Sequence, residues 1–160
     1  STLPENTDTT AILTPSTKTS NGHDKYVDCQ FVENSMGEEL FRQIESICFE
    51  LYSRAYQYAY KRNIIIADAK FEFGIDEQNN LVLADEIFTP DSSRFWNVNE
   101  YKVGESPKSF DKEFIREWLM KHMDEGKIRH NIPNDVVEKT ALIYQECKNI
   151  LLDKIDNDSI

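Results

Sequence analysis

Between Ile64 and Phe88 the apolar and polar residues follow a strand rhythm. Ile66-Ala-Asp-Ala-Lys-Phe-Glu-Phe-Gly74 alternates with period two. An extended strand would therefore carry Asp68, Lys70 and Glu72 on one face and Ala67, Ala69, Phe71 and Phe73 on the other. Asp76-Glu-Gln-Asn-Asn80 reads as a turn, and a returning strand would bring Asp85 and Glu86 back beside the charged face. The predicted strand pair covers roughly 64–88. Upstream, Leu40, Phe41, Ile44, Ile47, Cys48, Leu51, Tyr52, Ala55 and Ala59 recur at steps of three and four, the signature of a long amphipathic helix. Ser35-Met-Gly-Glu38 has the form of a capping box at its start, and Lys61-Arg62 supplies cations suited to its end.

Downstream, Ser109 is placed to cap a helix with Phe110, Phe114, Ile115, Trp118 and Leu119 on one stripe. Pro133 precedes a last helix with Val136, Val137, Ile143, Tyr144, Cys147, Ile150 and Leu151 facing inward. Residues 1–34, rich in Thr, Ser, Asp and Asn, read mostly as loop. Helix, two strands, then helices predicts an α+β domain: an antiparallel sheet with helices packed on one face. At 160 residues the chain suits one domain.

Charge narrows the function. A net charge of −11 opposes nucleic acid and anionic membranes as partners by bulk attraction, but not an anionic metabolite in a locally cationic pocket. No apolar run approaches a membrane span, and Ser1-Thr-Leu-Pro-Glu-Asn lacks signal-peptide character. Cys29, Cys48 and Cys147 form no CxxC pair, which reads as reduced thiols in a cytoplasmic protein. His23, His122 and His130 show no zinc-site spacing.

Three charged side chains along one strand face could be a solvated edge. Pairing them with Asp85 and Glu86 weakens that reading, because like carboxylates across a ladder repel unless a cation lies between them. Carboxylates around a lysine suit a magnesium-bound polyphosphate. On that reading Glu72 and Asp85 hold Mg²⁺, Lys70 meets a phosphate or acyl phosphate, and Asp68 orients a substrate donor. Asp91-Ser92-Ser93-Arg94, between Phe88 and Phe95-Trp96, is either a polar turn with a surface ion pair or a grip on a carboxylate or phosphate. Aromatic packing on both sides favours the grip. The five glycines never form a Gly-rich phosphate cradle, so the chain is expected to be a portion of a larger enzyme.

Ile65-Ile-Ala-Asp-Ala-Lys-Phe-Glu-Phe-Gly74 resembles the second signature of the SAICAR synthetase family. Asp85-Glu86, Thr89-Pro-Asp-Ser-Ser-Arg-Phe-Trp96 and Tyr101-Lys-Val-Gly-Glu105 look like that family's next segments in its fungal form. Thr14-Pro-Ser-Thr-Lys18 and His23-Asp24 are similar to its substrate loop. The resemblance runs through essentially the whole chain and implies an ATP-grasp-like fold. It also implies a step of de novo purine synthesis, in which ATP activates the carboxylate of carboxyaminoimidazole ribotide and L-aspartate forms the amide. By that likeness Glu72 and Asp85 are metal ligands and Lys70 contacts the phosphate or activated carboxylate. Asp68, Asp91, Ser92 and Arg94 would line the ribotide and aspartate site, with Lys18 and His23 on the substrate loop. The family's first signature is absent, so the chain corresponds to the C-terminal part and needs the N-terminal portion as partner. The other readings are a Mg-ATP small-molecule kinase on a related scaffold, or a non-catalytic acidic interaction module.

Overall fold

The computed structural model describes residues 11–17, 24–105, 107–124, 127–128 and 131–153. Lys18 and His23 lie outside the described residues. The chain divides into two compact units, up to Arg54 and from Ala55 onward.

The first unit opens on a short antiparallel ribbon, β1 (Ser16–Thr17) with β2 (Lys25–Tyr26). Helix α1 (Cys29–Met36) follows within the stretch expected to be mostly loop. Its cap is Asp28, whose carboxylate accepts the Phe31 amide at 2.6 Å and satisfies a donor the first helical turn leaves open. Ser35 is therefore a residue of α1 and not a cap. Gly37 ends α1 at φ 92°, a conformation that side chains with a Cβ rarely adopt, and α2 (Glu38–Tyr60) begins beyond it. Glu38 and Glu39 complement the amide end of α2. Within this unit Arg42 bridges the helices, 3.6 Å from Glu33 and 2.9 Å from Glu45, while Phe41 and Cys48 are buried.

In the second unit the predicted strand pair is rearranged. The alternating run breaks at Lys70-Phe71 into β3 (Ile64–Ala69) and β4 (Glu72–Ile75). β4 does form a hairpin, with β5 (Leu81–Ala84), in the register Glu72↔Ala84. Its turn is organised by Asp76, whose Oδ1 accepts the amides of Gln78 and Asn80 while Asn79 takes φ 63°. β3 pairs instead with β6 (Ser93–Asn97), antiparallel, with a shift between Ile66 and Asp68 that leaves Ala67 as an extra residue. The bulge turns Asp68 relative to the isoleucines before it, and the break at Lys70-Phe71 puts Asp68 in β3 and Glu72 in β4, so Asp68, Lys70 and Glu72 do not lie along one strand.

A 3₁₀ turn (Val98–Glu100) leads towards α3 (Glu113–His122), the ribbon β7 (Met123–Asp124) with β8 (Lys127–Ile128), and α4 (Asn134–Leu152) after Pro133. The cap of α3 corrects another expectation. Ser109 lies four residues before Glu113 and bridges to Trp96, while Asp111 Oδ1 accepts the Glu113 amide at 2.8 Å. α3 packs on α4, with Lys139 Nζ 4.4 Å from the Phe114 ring centre. Ile64, Ile65, Ile66, Phe95, Phe110 and Cys147 make the core, each at most 3% exposed. The observed class is mixed helix with small antiparallel ribbons; among the described residues no sheet exceeds two strands.

Candidate active site

β5 ends at Ala84, and the chain reaches β6 through an eight-residue loop, 85–92, which carries most of the acidic and hydroxyl groups singled out from sequence. Two of its residues have left-handed backbone: Asp85 at φ 64° and Phe88 at φ 52°. Aspartate tolerates this region, whereas for a bulky aromatic residue it costs about 1–2 kcal/mol. Phe88 is braced by Phe71, edge to face at 5.3 Å between ring centres. The second half of the loop is tied down by two backbone bonds. The Lys70 amide donates to the Ser92 carbonyl at 3.1 Å, and the Lys112 amide donates to the Pro90 carbonyl at 3.2 Å.

Those ties assemble a hollow of about 190 Å³ lined by Lys70, Asp85, Glu86, Asp91, Ser92 and Lys112. Two cations thus face three carboxylates and a hydroxyl. Lys112 Nζ lies 3.0 Å from Asp91, and that hydrogen bond holds the Asp91 carboxyl below its ordinary value, against the opposing effect of partial burial. Lys70 Nζ lies 3.0 Å from Glu72. Glu72 does not line the hollow itself but flanks it through Lys70.

Asp68 and Arg94 form a separate clasp, face to face across the β3–β6 register. Asp68 Oδ2 accepts both Nε at 2.9 Å and Nη2 at 2.5 Å. The Asp68 hydrogen bond raises the Arg94 pKa, keeping the guanidinium charged. The Arg94 guanidinium carbon also lies 5.8 Å from the Trp96 ring centre. Of the sequence candidates, Lys70, Asp85, Asp91 and Ser92 come together in the hollow, while Asp68, Glu72 and Arg94 do not line it.

Lys112 was not anticipated. Its only sequence signal is a lysine just ahead of the α3 stripe, and its reach to Asp91 depends on nonlocal pairing. Asp111 was missed too. It is 2% exposed, and its Oδ2 accepts from the Phe95 amide at 3.1 Å and from the Ser109 hydroxyl.

The chemistry of the hollow suits an anionic ligand with a hard cation: oxygen donors for the metal, ammonium groups for phosphate or carboxylate. Among the described residues no three His, Cys, Asp or Glu side chains gather closely enough to hold a metal ion alone. Among the described residues no helix is long and apolar enough to cross a membrane.

The chain is thus α+β, with a lysine-and-carboxylate hollow and an arginine clasp whose charges can meet small anionic molecules. The comparisons make this specific. Residues 3–133 match the family model described as SAICAR synthetase, and the chain belongs to that family. It is 45% identical over 144 residues to the phosphoribosylaminoimidazole-succinocarboxamide synthase of Pichia angusta, covering 89% of this chain and 48% of that protein. Against the synthase of Saccharomyces cerevisiae the identity is 46% over 142 residues, covering 88% and 46% respectively. A solved S. cerevisiae SAICAR synthase, complexed with SAICAR, superposes with a TM-score of 0.70 at 42% identity, over 84% of this chain and 46% of that one. The chain thus spans about half the length of these relatives.

Proposed function

We propose that this chain carries the substrate- and metal-binding part of an ATP- and Mg²⁺-dependent carbon–nitrogen ligase. Its reaction joins L-aspartate to the carboxylate of carboxyaminoimidazole ribotide, forming SAICAR and releasing ADP and phosphate. The observation that carries this reading is the convergence of Lys70, Asp85, Asp91, Ser92 and Lys112 on one hollow in a chain of this family. The SAICAR complex of the yeast relative supports the same substrate class. An ATP-grasp-like architecture, a cytoplasmic setting and a single C-terminal domain over residues 1–160 belong to the same reading. So does an N-terminal portion that grips the nucleotide phosphates, since no Gly-rich cradle occurs in this sequence.

Each residue has a role that follows from its chemistry. Mg²⁺, held by Glu72 and Asp85, would shield phosphate oxygens from an anionic nucleophile. Lys70 offers its ammonium to the transferred phosphate or to the activated carboxylate, where negative charge develops. Arg94, kept charged and oriented by Asp68, presents a planar fork to a ribotide or aspartate carboxylate. Ser92 donates its hydroxyl proton and Asp91 accepts from a substrate amine or hydroxyl. Lys18 and His23 complete the substrate loop in this reading.

The test is ADP release by the full-length protein supplied with Mg-ATP and carboxyaminoimidazole ribotide, with and without L-aspartate. Strict dependence on both substrates is expected. Release without aspartate would establish a kinase or an uncoupled ATPase in its place, and no release with any combination would sink the ligase reading.

A further inference from the structure

Thr89 does not line the hollow, yet it is bonded to three residues that do. Its hydroxyl donates to Glu86 Oε2 at 2.5 Å, a charge-assisted bond. The same oxygen accepts the Ser92 amide at 3.1 Å and the Asp91 amide at 3.3 Å. Its own amide donates to Ser92 Oγ at 3.1 Å. A hydroxyl has one proton and two acceptor positions, so these bonds use the full capacity of the Thr89 side chain.

The arrangement has a consequence for Ser92. Its oxygen accepts the Thr89 amide and has the Thr89 hydroxyl as a second donor 3.2 Å away, which leaves its own proton to turn into the hollow. Because Thr89 Oγ1 already takes two amides, it has no acceptor position left for the Ser92 proton, and the hollow is the better outlet. Thr89 thereby turns Ser92 into a donor facing an incoming anion. It also fixes the loop beside Phe88, whose left-handed backbone would otherwise relax.

We propose that Thr89 is a positioning residue: one hydroxyl that sets the Glu86 carboxylate, the Asp91 backbone and the proton direction of Ser92 together for substrate binding. The proposal rests on the ligase reading and deepens it. Groups that orient a site from behind typically change affinity by about 10–100-fold when removed.

The experiment compares Thr89→Val, Thr89→Ala and Thr89→Ser in the full-length protein. Binding of SAICAR is read by calorimetry, KM and kcat from ADP release, and folding from the thermal midpoint. Thr89→Val and Thr89→Ala should bind SAICAR at least about tenfold more weakly and raise KM for the ribotide more than they lower kcat. Thr89→Ser, which keeps the hydroxyl, should restore both. Should Thr89→Val not fold, the Ala and Ser pair carries the same comparison. Wild-type SAICAR affinity in the hydroxyl-free variants, with aspartate-dependent turnover intact, overturns the positioning role and leaves the ligase standing. Equal loss in Thr89→Ser also overturns it, since shape and not the hydroxyl would then matter. A wild-type protein that neither binds SAICAR nor couples ADP release to aspartate overturns the ligase reading itself, and this role with it.

Discussion

Asp68 holds Arg94 at three points, accepting its backbone amide through Oδ1 at 3.2 Å and both side-chain donors through Oδ2. The pair is half exposed, at 52% for Asp68 and 50% for Arg94, so solvent screens most of its contribution to stability. Asp68→Asn should therefore shift the denaturant midpoint by no more than about 1 kcal/mol equivalent. Its larger effect should be on KM for the anionic substrates, because the guanidinium loses its orienting charge. Unchanged KM with lost stability would make the clasp a structural device only.

Glu72→Gln removes a charge 3.0 Å from Lys70 while keeping the size of the side chain. Turnover at ordinary Mg²⁺ levels should fall by about 10–100-fold or more, with the fold retained. A kinetic series across Mg²⁺ concentrations checks this, and wild-type behaviour would take Glu72 out of the metal site.

The Lys112–Asp91 pair predicts a pH effect of definite sign. Asp91 is held below the ordinary aspartate value of 3.8 by its hydrogen bond to Lys112, with Arg116 and Glu86 also acting on it. A depressed carboxyl contributes stability that is present above the unfolded pKa and is lost as pH falls through the folded one. The loss therefore falls in the acid range, below the ordinary aspartate value. Lys112→Met should raise the Asp91 pKa in a carbon-detected NMR titration, and a midpoint that stays where it was would count against the pair.

Asp111 is a different case, because it is buried and uses both oxygens. Asp111→Ala would strand the Phe95 and Glu113 amides and the Ser109 hydroxyl. A loss of about 2–4 kcal/mol is expected in chemical denaturation. A loss below about 0.5 kcal/mol would mean that water replaces the carboxylate without strain.

The thiols should separate by reactivity. Burial is the main cause that pushes Cys48 up to about 11 and Cys147 up to about 12, so both stay protonated at pH 8, whereas Cys29 is partly exposed. Alkylation followed by peptide mapping should find Cys29 modified well before the other two. Early modification of Cys147 would show that the α4 face opens in solution.

The helical stripes were legible because periodicity is a local property: α2 and α4 lie within the stretches their apolar spacing marks out. The turn at Asp76 to Asn80 was legible for the same reason. Strand partnership was not. The pairing of Ile65 with Trp96 joins residues far apart in sequence, and nothing in the alternation of residues 66–74 reveals that Ala67 is bulged. The site followed suit. Lys70 and Asp85 were recognisable beside Asp68 and Glu72, and Asp91 and Ser92 beside Arg94, but not that these four converge without the other three, and Lys112 enters only through the fold that brings Pro90 to its amide.

A strand that is greasy on both sides carries no memory of which way round it belongs. Ile64, Ile65 and Ile66 are each buried, so sliding them by one place against β6 would exchange isoleucine for isoleucine at two of the three places and change only the third, where Asn63 or Ala67 would enter. Discrimination between those two alignments falls to what lies just beyond them: the extra residue at Ala67 and the charged grip of Asp68 on Arg94. In the proposed ligase, the residues assigned to present a cation to substrate are thus also the ones that help set the alignment of the strand pair. Evolution is then less free to alter the one duty without disturbing the other.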